Sequence, residues 1–173
     1  MTGNTPLKLI SMSEINAEEV QWLWYPYIPL GKLTIIQGDP GEGKTSFILA
    51  VIAALTRGEP LPECAQAAKP MNVIYQTAED GLADTIKPRL ENAGADCTRV
   101  LVIDESKQEL TLCDARLEQA IRKTSAKLIV LDPLQAYLGS DVDMHRANEV
   151  RPVLKRLSLM AERTQCAVIL IGH

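Results

Sequence analysis

"KLTIIQGDPGEGKTSFILAVIAAL", residues 32–55, decides how this chain folds. It opens on a short apolar run from Leu33 to Ile36 and then breaks into a loop holding Gly38, Gly41 and Gly43. Beyond the loop, Phe47, Ile48, Val51, Ile52 and Leu55 recur at helical spacing, and Gly58 follows as a stop signal. The pattern predicts a strand, a tight loop and a helix. The loop reads Gly38, four residues, then Gly43, Lys44 and Thr45, a full match to GxxxxGK[ST] in the context its chemistry requires.

That chemistry is phosphate binding. Glycines let the backbone curl until its N–H groups face phosphate oxygens. A helix starting near Gly43 adds its positive end. Lys44 is a mobile point charge suited to β- and γ-phosphates, and the Thr45 hydroxyl suits Mg2+. The predicted binding stretch is Gly38, Asp39, Pro40, Gly41, Glu42, Gly43, Lys44, Thr45 and Ser46.

Four more apolar runs lie further along: "NVIYQT" (72–77), "RVLVID" (99–104), "KLIVLD" (127–132) and "CAVILIG" (166–172). They are continuous rather than alternating, as in parallel strands buried on both faces. Helical stripes separate most of them. Leu117, Ala120 and Ile121 form one, with Asp114 as its N-cap, and Val150, Leu154, Leu157 and Ala161 form another. Alternating strands and helices predict an α/β fold with right-handed crossovers. Pro88 and Pro152 fall inside helical patterns, so each should sit in a first turn or make a kink, and those helices should turn regular late, near 84–87 and 148–152. Residues 58–71 read as an irregular connection, and 133–147 as a long surface loop of the kind that carries function.

Composition narrows the class. At 173 residues the chain suits one domain with a real core. A net charge of −4 gives no general attraction to nucleic acid. Cys64, Cys97, Cys113 and Cys166 include no CxxC pair and there are only two histidines, which argues against a metal centre or a disulfide framework. No apolar run approaches the ~18 residues of a membrane span. The N-terminus lacks a basic start with an apolar block, so a cytoplasmic protein is expected.

A phosphate loop needs a metal-side acid, which comes from the end of another buried strand. Asp132, closing "KLIVLD", is the best candidate, and Asp104, closing "RVLVID", has the same local look. Capping a turn is the competing role for both. Glu79 and Asp80 follow the second strand, where a carboxylate can orient and deprotonate water. On spacing alone an exposed turn acid is the better reading of Glu79.

Together, "GDPGEGKTS", the "AED" at 78–80, "LIVLDPL" and the terminal "ILIGH" resemble the RecA-like ATPases. RepA-type proteins are the nearest likeness, with DnaB-type replicative helicase cores and the KaiC-like group beside them. The resemblance covers about residues 30–173, leaving 1–29 as a lead-in segment. It implies a three-layer P-loop NTPase fold with five parallel strands in the order 3-2-4-5-1. It also implies ATP and Mg2+ as ligands, with Glu79 as catalytic base, Lys44 on the phosphates, Thr45 and Asp132 on the metal side, and His173 as γ-phosphate sensor. Self-association into a hexameric or other ring and work on DNA in replication, recombination or repair are expected of that class. Such cores continue past the sensor strand and carry there a trans-acting Arg or Lys finger and a nucleic-acid loop. The chain is therefore expected to be a piece of a longer protein, with its first strand at an exposed edge.

Three other readings stay open. A KaiC-like module would use ATP to control assembly rather than to work on DNA. A small-molecule kinase has no need of a water-activating Glu79, and a GTPase lacks its NKxD stretch here. Trp22, Trp24, Tyr25 and Tyr27 suggest packing or base stacking. Arg151, Lys155 and Arg156 give a basic helix side suited to solvent, a subunit interface or DNA. Asp141, Asp143 and His145 read as polar loop or metal ligands.

Overall fold

A computed structural model describes residues 3–65 and 68–173. An exposed arm runs to Gln21, relieved by one short turn at Met12–Glu14. A small antiparallel hairpin follows, made of β1 (Trp22–Trp24) and β2 (Ile28–Pro29). The main body then alternates strand and helix: β3 (Leu33–Gln37), α1 (Lys44–Arg57), β4 (Val73–Thr77), α2 (Lys87–Asn92), β5 (Val100–Leu101), α3 (Ala115–Thr124), β6 (Leu128–Asp132), α4 (Ala147–Thr164) and β7 (Ala167–Gly172).

Five strands make one parallel sheet in the order β3-β7-β6-β4-β5. Numbered among themselves along the chain they run 1-5-4-2-3, which is 3-2-4-5-1 seen from the other edge. Alternate residues of each strand enter different cores. Val73, Tyr75, Leu128, Val130, Ile169 and Ile171 pack with α1, α2 and the hairpin. Ile74, Ile129, Leu131, Val168 and Leu170 pack with α3 and α4. This is the three-layer α/β arrangement, and it explains why the strands read as unbroken apolar runs. Each such side chain contributes about 1.5–3 kcal/mol relative to exposure.

The P-loop strand β3 lies at the sheet's edge, with Ile35 half exposed. At the other edge β5 is shorter than the six-residue run predicted. Past Leu101 its place in the ladder is taken by a side chain. The buried Gln76 amide accepts from Ile103 N–H at 2.6 Å and donates to Ile103 C=O at 3.3 Å.

Pro88 meets the expectation of a first-turn proline, whereas α4 begins one residue ahead of the expected 148–152. Before α2, Leu82–Ile86 form a π turn, and Pro88 sits in the first helical turn. Helix α4 starts at Ala147 and carries Pro152 inside it. Asn148 and Pro152 both face solvent, so water can satisfy the carbonyl that proline leaves without a donor. The segment 133–147 is not wholly a surface loop, because Tyr137 and Leu138 are buried against the α3–α4 face. Of the four aromatics, Trp24 packs: it stacks on Phe47 with centroids 6.0 Å apart and donates to Pro62 C=O at 3.0 Å. Trp22, Tyr25 and Tyr27 remain exposed.

Candidate functional site

The loop between β3 and α1 takes the shape its glycines permit. Gly41 and Gly43 sit at φ +85° and +82°, in the left-handed region that side chains disfavour. Gly43 caps α1 with no side-chain hydrogen bond, so the first helical N–H groups stay free for an anion. A Cβ at either position would meet nothing within 4 Å, so the space beside the loop is open. Lys44 Nζ donates to the carbonyls of Gly38 at 2.6 Å and Asp39 at 2.7 Å, holding its charge over the loop. Glu42 accepts from Asp39 N–H at 2.8 Å and ties the loop shut. An uncapped helix start, an open cradle and a lysine beside it fit a nucleotide's phosphates.

A cleft of about 380 Å³ opens there. It is lined by Pro40, Gly41, Gly43, Lys44, Thr45 and Ser46 from the loop and helix start, and by Glu79, Arg89, Asp132, Ile171 and His173. Gly38, Asp39 and Glu42, also expected at the phosphates, shape the loop without lining the cleft.

Three strand ends deliver Glu79, Asp132 and His173. β6 lies between β4 and β7, so the residues that follow those two strands converge over Asp132. His173 Nε2 stands 3.4 Å from Glu79 Oε2. The turn beneath Glu79 is held by Ala78 N–H on the Asp132 carbonyl at 3.0 Å and by Asp80 N–H on Thr77 Oγ1 at 3.3 Å. Glu79 itself keeps 59% of its side chain exposed, so water can reach it.

Asp132 is only 4% exposed. Its Oδ2 accepts from Thr45 Oγ1 at 3.1 Å and from Tyr75 O–H at 3.1 Å. Burial pushes the carboxyl above the ordinary carboxylate range; the Tyr75 and Thr45 bonds oppose the rise, and Glu79 and Asp80 add to it. Burial likewise pushes the Tyr75 phenol up, so it remains a donor. A hydroxyl and a carboxylate already within hydrogen-bond reach form a donor set suited to Mg2+.

Asp104 takes the turn-capping role, accepting from Ser106 N–H at 2.9 Å, and it lies outside the cleft. Asp143 likewise accepts from His145 N–H at 2.9 Å within its own loop. Two residues escaped the sequence reading. Tyr75 looks like any strand aromatic, and Arg89 lies in a segment whose helical phase was obscure.

A family model described as an AAA domain matches residues 5–173. This chain belongs to that AAA domain family. The AAA domain carries the P-loop ATPase architecture of the RecA-like class. It is similar to the DNA repair protein RadA of Haemophilus influenzae, 26% identical over 183 residues covering 99% of this chain and 36% of that protein. The RadA of Halalkalibacterium halodurans is 25% identical over 145 residues, 83% of this chain and 28% of its own. That of Streptococcus pneumoniae is 23% identical over 177 residues, 97% of this chain and 38% of its own. The AAA domain thus spans about a third of the length of these relatives. No helix among the described residues is long and apolar enough to cross a membrane.

Proposed function

We propose that this domain binds and hydrolyses ATP. The observation carrying this reading is the convergence of Lys44, Thr45, Glu79, Asp132 and His173 on one cleft. Loop N–H groups and Lys44 hold the phosphates. Thr45 and Asp132 would hold Mg2+, which would supply charge neutralisation at the phosphates. Glu79, exposed at the cleft's rim, orients the attacking water and takes its proton. His173, within reach of Glu79, reports the terminal phosphate. RadA relatives named as DNA repair proteins support work on DNA, in a self-associated ring, as the setting of this chemistry.

The test is ATP turnover by the wild type and by Glu79→Gln, each with and without single-stranded DNA. Wild-type hydrolysis falling about 10²-fold or more in the variant, with ATP binding retained, is expected. Normal turnover in Glu79→Gln removes it as the base. Stimulation by DNA supports the DNA-linked reading. Turnover indifferent to DNA favours a KaiC-like assembly switch.

A further inference from the structure

The cleft holds a second strong cation that the chemistry above does not use. Arg89 lines it beside Lys44, Glu79, Asp132 and His173. Six arginines reach a carboxylate, whereas Arg89, Arg151 and Arg156 are in no ion pair among the described residues, and of these three only Arg89 lines this cleft. It is unpaired there although two carboxylates, Glu79 and Asp132, line the same cleft.

The backbone explains its placement. The Gly81 carbonyl accepts from Thr85 N–H and from Ile86 N–H, each at 3.1 Å, and the second of these bonds closes the π turn. One extra residue in a turn rotates everything after it by about 100°. Ile86 and Leu90 are thereby buried against α1, which fixes the roll of α2. Arg89, one position before Leu90, is left on the cleft side.

A triphosphate entering this cleft adds negative charge next to Glu79 and Asp132, with Lys44 as the one counter-charge in the loop. The planar fork of an arginine suits phosphate oxygens bidentately. Arg89 lines the cleft with Glu79 and His173, the groups read above as acting at the terminal phosphate. We propose that Arg89 is a ligand of the terminal phosphate, supplied by the same chain as the phosphate loop. This rests on the nucleotide reading above. Lys44 serves both di- and triphosphates, whereas Arg89 serves the triphosphate alone and so makes the site discriminate between them.

Fluorescent ATP and ADP analogues with Mg2+, read by equilibrium anisotropy, test this in a Glu79→Gln background where ATP is not consumed. Arg89→Ala should weaken ATP about tenfold or more, leave ADP within about twofold, and melt at the parent temperature. Arg89→Lys should recover part of the ATP loss. Equal losses of ATP and ADP, or unchanged ATP affinity, overturn the proposal. Lys44→Ala runs alongside and should weaken both nucleotides. If it weakens neither, the phosphate-loop reading fails and takes Arg89 with it; if it weakens both while Arg89→Ala does not discriminate, only the Arg89 proposal falls.

Discussion

His173 Nε2 and Glu79 Oε2 stand 3.4 Å apart over the end of β6, the strand that carries Asp132. Each side chain follows a strand flanking β6, so the pair lies beside Asp132. Residues this close act as a unit when they share a task, and losses from removing them overlap. Glu79→Gln and His173→Ala should each slow ATP turnover, and the double variant should be little slower than the worse single one. Losses that multiply fully would show that the two side chains act independently.

Tyr75 holds Asp132 by the same oxygen that Thr45 uses. If Thr45 turns to a metal ion, Tyr75 becomes the carboxylate's remaining neutral anchor. Tyr75→Phe keeps the ring packed and removes the hydroxyl alone. Stability should fall by about 1 kcal/mol, the worth of one hydrogen bond, and half-saturation of turnover by Mg2+ should move several-fold higher. An unmoved Mg2+ titration would reduce Tyr75 to a packing residue.

Asp132 is raised above its ordinary range chiefly by burial. A carboxyl raised on folding contributes stability below its unfolded value, and that contribution is lost as pH rises through the folded value. The ionised acid therefore weakens the nucleotide-free domain most at neutral pH and above. Asp132→Asn keeps an acceptor for Tyr75 and Thr45 but carries no charge. Its melting temperature without nucleotide should exceed the wild type's at pH 8 by roughly 2–4 °C, equivalent to about 1 kcal/mol. The gain should vanish toward pH 4, and Mg2+ with ATP should stabilise the variant less than the wild type. A lower melting temperature at pH 8 would mean that the charge is compensated.

Gln76 stands in for a peptide group between β4 and the chain beyond β5. Gln76→Leu leaves Ile103 N–H without its partner, which costs about 1–3 kcal/mol. Hydrogen exchange should quicken first at 101–105, while β6 and β7 stay protected. Uniform quickening across the sheet would contradict so local a role.

Much of this was legible because buried parallel strands leave unbroken apolar runs, and a phosphate loop leaves a fixed spacing. Asp132 stood out as an acid ending such a run. The length of β5 did not, because a ladder bond made by the Gln76 side chain leaves no mark in the pattern of residues 99–104. Tyr75 read as core because its ring is core; its hydroxyl partner lies 57 residues away. Arg89 was hidden for another reason. Its direction depends on the π turn at Leu82–Ile86, and helical periodicity carries no sign of an inserted residue. Glu79 and His173 are unremarkable locally, and only the strand order brings them together.

The strand that feeds the phosphate loop is also the outermost strand of the sheet. Among the described residues no strand pairs with its outer side. A strand laid against it would lie about 4.8 Å away, a single ladder from the root of Gly38. A pull or push applied along that edge would reach the loop without crossing the rest of the sheet. Grip on the phosphates and grip on a neighbour would then be two ends of one short lever.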